Sequence, residues 1–186
     1  MILFISPGSP FARIIRVLAR DRGVDIEERE VTLRDPASSL LAHSAPGRVP
    51  VLLDGAEAIS EVPLILAHLG WLPVDAPALA RLGRALALLD GIAVWNRDLR
   101  RPEHERSPTM QGLERGRAAR ILDGLDIAAH APLSAEGVAL ACTLGYCERR
   151  HRVFAWREGR EALAAWYDAA AARRGFTETL PPLSGI

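Results

Sequence analysis

The chain of 186 residues contains no lysine, and all 23 of its basic side chains are arginines. The absence of lysine excludes a catalytic lysine, a Schiff base and the lysine of a phosphate-binding P-loop. The 23 acidic residues balance the arginines, so the formal net charge at pH 7 is zero. A neutral chain has no overall electric field that would attract nucleic acid or an anionic membrane surface. We therefore expect neither among its partners.

Long apolar runs and cysteines are scarce as well. No apolar stretch approaches the ~20 residues that a helix needs to span a membrane. The two cysteines, Cys142 and Cys147, are spaced so that a helix turns their side chains away from each other. A disulfide between them is not expected, and a reducing cytoplasm fits such cysteine usage best. The first residues, MILFIS, lack the basic region and cleavage site of a signal peptide, so we expect none.

The overall composition is that of a globular protein, with 49% hydrophobic and 25% charged residues. A length of 186 residues accommodates one domain or two small ones. The five histidines are scattered and show none of the spacings that metal ligands need, so we expect no bound metal.

The first 70 residues alternate between segments typical of strands and of helices. Strands are predicted at short apolar or alternating runs, and helices where apolar residues recur every three to four positions. Asp54-Gly55, between two strand-like runs, is typical of a hairpin turn. Residues 34–47 predict a loop with a short helix. The other predicted elements are a strand at Ile2–Ile5, a helix at Pro10–Arg22, a strand at Ile26–Leu33, a hairpin over Val49–Ser60 and a helix at Glu61–Leu69 with Leu64, Ile65 and Leu69 on one side.

The pattern changes after residue 70. Residues 71–77 contain two prolines and are predicted to be a linker between a domain at 1–70 and an all-α domain at 78–186. The run Val138–Tyr146 is apolar on nearly every face, which predicts a helix at the centre of a bundle. The other predicted helices lie near Leu79–Ala93, Gly112–Ala129 (with Leu113, Ile121, Leu122 and Leu125 as its apolar positions) and Glu161–Arg174, and Pro181–Ile186 is predicted to be extended.

Ser9 is the first residue whose position points to chemistry. It lies between the first strand and the first helix, with Pro10 in the first helical position. Serine is a preferred N-cap and proline is favoured in the first turn, so a purely structural role explains both residues. The same hydroxyl lies at the positive end of the helix dipole, where it can also donate a hydrogen bond to a thiolate and favour the ionised form.

Two further segments combine turn residues with charge. In Gly47-Arg48-Val49-Pro50, a proline opens a strand, which strands tolerate, and a trans bond is the default before it. The second segment is Ile59–Leu66. In it, Ser60 is a candidate N-cap, and Glu61 is favourable in the first turn of the helix that follows. Free backbone N–H groups at such a helix start bind carboxylates.

In this order and spacing, these segments resemble the glutathione transferase superfamily over essentially the whole chain. Ser9-Pro10-Phe11-Ala12-Arg13 follows the first strand, Val49-Pro50-Val51 opens the third, and Glu61–Leu66 opens the helix after the hairpin. In the second half, the stretches similar to the helical domain of bacterial members are Arg101–Ser107, Val138–Cys142, Gly145-Tyr146 and Leu163–Tyr167.

The resemblance implies a thioredoxin-like N-terminal domain, an all-helical C-terminal bundle and a homodimer. It also implies that glutathione binds along the N-terminal domain as co-substrate. By position, Ser9 corresponds to the family's catalytic serine or cysteine, and Pro50 corresponds to its cis-proline. The resemblance further implies contacts to glutathione from the Val49 backbone at the cysteinyl part, from Arg48 at the glycyl carboxylate and from Glu61 at the γ-glutamyl end.

The chain departs from the family pattern at two positions. The residue after the acid is usually serine and is here Val62, so a hydroxyl contact to the γ-glutamyl carboxylate is lost. Losing one such charge-assisted hydrogen bond costs ~1.5–3 kcal/mol, or about tenfold to a hundredfold in affinity. The backbone N–H of Val62 remains, and Ser60 is a candidate to compensate. Before the central helix, Gly137 replaces the aspartate of the family's capping box, which leaves Ser134 to cap alone.

Aromatic and charged residues add alternatives of their own. Trp95 is either a packing residue or, by resemblance, part of the second-substrate pocket together with Phe11. The resemblance also puts Phe11 among the residues near glutathione. The charge-dense stretch Arg97–Arg106 is either a solvated loop between helices or an anion site.

Two hypotheses for the function follow. The leading hypothesis is a cytoplasmic glutathione transferase that detoxifies small electrophiles held in an apolar pocket between the domains. The hydroxyl of Ser9 and the helix dipole would lower the thiol pKa of glutathione, and the thiolate would attack the electrophile. A serine cannot form a mixed disulfide, which disfavours thiol-reductase chemistry. The alternative is a non-catalytic binding or scaffold protein of the same fold, whose glutathione affinity is weak or lost because of Val62.

Overall fold

A four-stranded mixed sheet forms the N-terminal part of the computed structural model, which describes residues 1–184. Its strands are β1 (Ile2–Ile5), β2 (Glu27–Glu30), β3 (Val51–Asp54) and β4 (Glu57–Ser60). They lie in the order β2-β1-β3-β4. The pair β1–β2 is parallel, and the pairs β1–β3 and β3–β4 are antiparallel. The predicted strand at Ile26–Leu33 is therefore shorter than expected, although the Val31 amide still donates to the Ile5 carbonyl.

Two helices accompany the sheet, α1 (Pro10–Asp21) and α2 (Val62–His68), and they pack against each other. In α1 the predicted apolar face, Ile14, Ile15 and Leu18, is fully buried. The helix ends just before Gly23, whose φ of +66° is the left-handed conformation that glycine adopts easily. Together with a short 3-10 turn at Ser39–Ala42, these elements form the thioredoxin-like arrangement that the resemblance implies.

The rest of the chain is helical, as expected. The helix α5 lies at its centre, because every residue from Ala135 to Cys147 is buried. It packs against α3 and also against α1 of the sheet region, so one continuous apolar core joins both parts. The helices are α3 (Ala76–Leu99), α4 (Pro108–Asp123), α5 (Ala135–Arg150), α6 (Glu161–Ala171) and α7 (Arg174–Thr177).

Arg13 ties the first helix to the last. Its side chain is only 3% exposed, and it donates to the Phe176 carbonyl at 3.1 Å and to the Thr179 hydroxyl at 3.3 Å. The guanidinium carbon also lies 5.1 Å from the centre of the Phe176 ring. Two hydrogen bonds and a cation–π contact compensate part of the burial cost of this arginine, whose buried Nη1 atom makes no hydrogen bond.

Several sequence predictions need correction in detail. The predicted helix Gly112–Ala129 runs instead over Pro108–Asp123, because Ser107 caps it by accepting from the Met110 amide. Its buried face contains Ala118 and Leu122, which turns Leu113 outwards to 64% exposure. In α2 the prediction for Leu64 is wrong in the same way, since Ile65 and Leu66 are buried and Leu64 is 60% exposed.

The ends of the helical part differ slightly from expectation. The helix α3 begins at Ala76, inside the predicted linker, because the Asp75 carboxylate caps it at 2.8 Å from the Ala78 amide. At the other end, residues 181–184, within the predicted extended tail, belong to no helix or strand. The last two residues of that predicted tail, 185 and 186, lie outside the described residues.

Candidate functional site

Three loops meet at one end of the sheet. The register pairs Phe4 with Val51, so the end of β1, which leads to Ser9, lies beside the start of β3, which Pro50 precedes. Val51 is paired on its other side with Ser60, the last residue of β4 before Glu61. The topology therefore brings the loops of Ser9, Pro50 and Glu61 to the same edge, although they are far apart in sequence.

Ser9 is the N-cap of α1. Its Oγ accepts a hydrogen bond from the Ala12 amide at 3.2 Å, and its backbone is extended, with φ −80° and ψ 115°. The Ser9 amide in turn donates to the Ser6 carbonyl at 2.9 Å, which fixes the turn. The side chain is half-buried and lies at the positive end of a 12-residue helix. An anion beside this hydroxyl would meet a donor and a favourable dipole together.

The loop before β3 contains the Val49–Pro50 peptide bond in the cis form. Both residues are buried, and Arg48 before them is exposed. A cavity of about 330 Å³ lies next to this loop, with Arg34, Ser38 and Gly47 among its lining residues.

Glu61 has an unusual backbone for a residue with a side chain. Its φ of 69° lies in the left-handed region, where residues other than glycine are strained, and its ψ is 132°. The side chain is exposed and makes no hydrogen bond that caps α2. The carboxylate is therefore exposed to solvent. Helix capping does not explain the positive φ of this residue.

Val62 follows directly and is only 2% exposed, because it packs in the apolar core with Ile65 and Leu66. Its side chain therefore supplies no polar group to the site. Ser60, the residue on the other side of Glu61, is half-buried.

Phe11 and Trp95 have different surroundings. Phe11, on the first turn of α1, is half-buried and packs on the core from outside. Trp95 is 5% exposed, with its ring centroid 4.5 Å from that of His151 and 5.8 Å from that of Phe154. This is the environment of a packing residue, and the role of Trp95 in a substrate pocket stays a prediction.

A buried polar network, which the sequence analysis did not single out, joins the carboxyl ends of α3 and α5. The Asn96 amide nitrogen donates to the Arg150 carbonyl at 2.7 Å, and the Asn96 oxygen accepts from the Tyr146 hydroxyl at 3.0 Å. The Nδ1 atom of His151 lies 3.3 Å from the same amide nitrogen. Burial lowers the pKa of His151 to about 4, so the ring is neutral at pH 7.

Arg150 reaches from the end of α5 to the loop that precedes Ser9. A Cβ atom added to Gly8 would meet the Arg150 guanidinium at 3.0 to 3.4 Å, so a side chain there would require the guanidinium to shift by a few tenths of an ångström. The contact joins positions 142 residues apart. The run Arg149-Arg150-His151-Arg152 is visible in the sequence as a basic helix end, but its partner is not.

The cysteines of the chain offer no thiolate. Burial raises the pKa of Cys142 to about 11, and it raises the pKa of Cys147 even further from its ordinary value. Both thiols are buried and protonated at neutral pH. Thiolate chemistry at this site therefore requires a thiol from a ligand.

Over residues 1–184, no group of three or more histidine, cysteine or acidic side chains is arranged to hold a metal ion. Within the same residues, the helices are too short or too polar to cross a membrane.

Comparisons with known proteins identify the family of the N-terminal region. Residues 3–77 match the family described as "Glutathione S-transferase, N-terminal domain". A glutathione S-transferase from Methylobacillus flagellatus, solved with GSH bound, is 28% identical with a TM-score of 0.84, and the match covers 97% of this chain and 98% of that one. Residues 3–77 belong to the glutathione transferase superfamily, and the whole chain has the fold of its members.

Other members of the superfamily are similar over their whole length. A glutathione transferase family member from Pseudomonas fluorescens, with bound glutathione, is 28% identical with a TM-score of 0.85, covering 98% of this chain and 99% of that one. A further structure from the same organism, with bound S-(propanoic acid)-glutathione, is 28% identical with a TM-score of 0.82 and covers 98% and 100%. No curated protein matches the sequence.

Proposed function

We propose that this superfamily member is a glutathione transferase that joins glutathione to a small electrophile. The proposal assigns the glutathione thiol to Ser9, the cysteinyl backbone to Val49 beside Pro50, and the γ-glutamyl end to Glu61. Arg48 is the proposed partner of the glycyl carboxylate. Relatives that are 28% identical contain bound glutathione, which supports this choice of ligand.

The observation that carries the proposal is the backbone of Glu61. A left-handed φ of 69° at a non-glycine residue costs of order 1–3 kcal/mol. The side chain gains no capping hydrogen bond in return. Such strain clusters at functional sites, and here it lies at an exposed glutamate, at the end of the sheet where the Ser9 loop also lies. A carboxylate so exposed suits the cationic amino group of a γ-glutamyl end.

The chemistry follows from Ser9. Its hydroxyl would donate a hydrogen bond to the thiolate sulfur, and the positive end of α1 would stabilise the same charge. Both effects lower the thiol pKa, so more of the bound glutathione is ionised at neutral pH. The sulfur electron pair then forms a bond to the electrophilic carbon, and the displaced group leaves with the electrons of its former bond.

Phe11, half-buried beside Ser9, is the proposed apolar contact for both ligands, and Trp95 is proposed to back the second-substrate pocket from the core. The ligand bound to one relative, S-(propanoic acid)-glutathione, has a small substituent on its sulfur. A pocket for a compact second substrate is consistent with that ligand.

We further propose a cytoplasmic homodimer that removes toxic electrophiles. Residues 1–70 would bind glutathione, the helices from α3 to α7 would shape the pocket, and residues 71–75, the part of the predicted linker before α3, would link them. Three exposed apolar side chains near this link support a partner subunit: Leu64 is 60% exposed, Val74 is 96% exposed and Leu79 is 39% exposed.

Val62 favours one alternative, a non-catalytic protein of the same fold. Its buried side chain removes the hydroxyl that members of this superfamily usually offer to the γ-glutamyl carboxylate. The two functions are separated by measuring glutathione consumption with an activated chloronitroarene at saturating glutathione. Consumption above the uncatalysed rate supports the transferase. Bound glutathione with no such acceleration across a panel of electrophiles supports the non-catalytic alternative.

A further inference from the structure

Arg150 brings a positive charge to the candidate site. Its guanidinium lies against Gly8, the residue before Ser9, where an added Cβ atom would meet its Nη2 atom at 3.0 Å and force the guanidinium to shift. The side chain comes from the last turn of α5, in the helical part of the chain. The Arg150 side chain thus extends from the helical part and places its positive charge beside the loop of the sheet region that contains Ser9.

This charge has no acidic partner within residues 1–184. The Arg150 Nε atom is buried and makes no hydrogen bond, and one terminal nitrogen reaches only the Pro182 carbonyl, at 3.4 Å. Glu148, two residues earlier, is paired with Arg157 at 2.5 Å. The Nε donor itself is closed off from solvent, but the half-buried guanidinium also has terminal N–H groups with no acidic partner, and such groups favour an anion within hydrogen-bond reach.

The backbone from which this side chain extends is held in place. Asn96 fixes the Arg150 carbonyl at 2.7 Å, and the Ser184 hydroxyl donates to the same carbonyl at 3.0 Å. Arg100 donates to the Asn96 oxygen at 2.9 Å and adds a second cation to this end of the bundle. The charges of Arg150 and Arg100 both oppose the rise in the pKa of Tyr146 that burial causes, so both act on the same hydroxyl.

We propose that Arg150 is an anion-binding residue of this site and that the second substrate is an electrophile carrying a carboxylate. The inference rests on the proposed function, which puts the glutathione sulfur at Ser9. Gly8 and Ser9 are adjacent, so the inference puts a short acidic group on that sulfur within reach of the guanidinium. Guanidinium pairs with carboxylate through two parallel hydrogen bonds, which selects carboxylates over neutral groups of the same size.

The test compares three ligands by calorimetry: glutathione, S-(carboxymethyl)glutathione and S-(carbamoylmethyl)glutathione. The last two have nearly the same shape and differ in charge. We expect the wild-type protein to bind the acid about tenfold more tightly than the amide, a factor that corresponds to about 1.4 kcal/mol. In Arg150→Met this preference disappears, and in Arg150→Lys, which keeps the charge without the fork, part of it returns.

Arg152→Met is the matched control. Arg152 donates to the Ser184 carbonyl at 3.2 Å, so it holds the same tail segment as Arg150 but is exposed. We expect this variant to keep the wild-type preference for the acid. If Arg152→Met lost the preference as fully as Arg150→Met, tail attachment and not the charge beside Gly8 would be responsible, and the inference would be wrong.

The remaining outcomes separate the inference from the proposed function. Equal affinity for acid and amide in a wild-type protein that binds glutathione overturns the inference and leaves the proposed function intact. A loss of glutathione affinity in Arg150→Met equal to the loss for the acid assigns the charge to glutathione itself, which also overturns it. If folded wild-type protein binds none of the three ligands, the proposed function fails and the inference fails with it.

Discussion

Ser9 and Ser134 cap their helices in the same way. The Ser9 Oγ accepts from the Ala12 amide at 3.2 Å, and the Ser134 Oγ accepts from the Gly137 amide at 3.1 Å. One cap lies at the candidate site and the other at the start of the central helix α5. The pair therefore offers a built-in control that separates the structural role of a capping serine from a catalytic one.

Replacing either serine by alanine should reduce the free energy of unfolding by about 1 kcal/mol, because each change removes one helix cap. Only Ser9→Ala should also raise the pKa of the bound glutathione thiol, by about 1 to 2 pH units, since a hydrogen bond to a charged group contributes about 1.5–3 kcal/mol. The two quantities are measured by urea unfolding and by the pH dependence of thiolate absorbance.

The comparison has a clear negative result. If the thiol of bound glutathione titrates at the same pH in Ser9→Ala as in the wild-type protein, Ser9 is only a helix cap. A change of the same size in Ser134→Ala would show that the effect is general destabilisation.

Gly137 should tolerate no side chain. A Cβ atom there would overlap the backbone carbonyl oxygen of Ala131. A backbone atom cannot move aside as easily as the end of a flexible side chain. We expect Gly137→Ala to lower the free energy of unfolding by about 1–3 kcal/mol. In Gly83→Ala, on α3 with nothing within 4 Å of the new atom, the helix should gain about 0.5–1 kcal/mol. Thermal unfolding of both variants checks this, and equal shifts would contradict the described approach of Ala131.

Val62→Ser should have opposite effects on stability and on binding. The side chain is 2% exposed, so losing its methyl groups should reduce the free energy of unfolding by about 1–3 kcal/mol. The new hydroxyl should tighten glutathione binding about tenfold to a hundredfold. Val62→Ala is the control, because it loses the same methyl groups without gaining a hydroxyl. Equal glutathione affinity in the two variants would place the γ-glutamyl carboxylate elsewhere.

His151 should make the protein less stable in mild acid. Burial lowers its folded-state pKa from 6.5 to about 4. Between pH 6.5 and pH 4, His151 is therefore protonated in the unfolded chain but neutral in the folded one. The free energy of unfolding is therefore highest above pH 6.5, where His151 is neutral in both states, and it decreases as the pH falls towards 4. Between pH 7.5 and pH 5.0 the wild-type protein should lose about 2 kcal/mol more than His151→Gln. Urea unfolding at both pH values measures the difference, and parallel losses would contradict it.

The sequence predicted those parts of the fold that local patterns determine. The strand Ile2–Ile5 and the buried centre of α5 follow from unbroken apolar runs, and the start of α1 follows from Ser9 and Pro10. Helix faces were less predictable: Leu113 matches an apolar repeat yet is 64% exposed, because neighbouring helices and not the repeat alone decide which face is covered.

In the candidate site, too, the sequence predicted the local motifs but not the contacts that depend on tertiary packing. The motifs at Ser9, Pro50 and Glu61 were found from their order in the chain, and the strand register brings their loops to one edge. The contact between Arg150 and Gly8 depends on how α5 packs on the sheet region, which no local pattern encodes. The strained backbone of Glu61 is likewise visible only in three dimensions, since glutamate carries no sequence signal for a positive φ.

The most direct test of the whole account is a calorimetric titration of the purified, folded protein with reduced glutathione. We predict saturable binding at one site per chain with a sub-millimolar to low-millimolar dissociation constant, weakened but not abolished by the missing hydroxyl at Val62. A protein that is folded by circular dichroism and gives no binding heat at several temperatures would contradict the account and turn attention to a non-catalytic role.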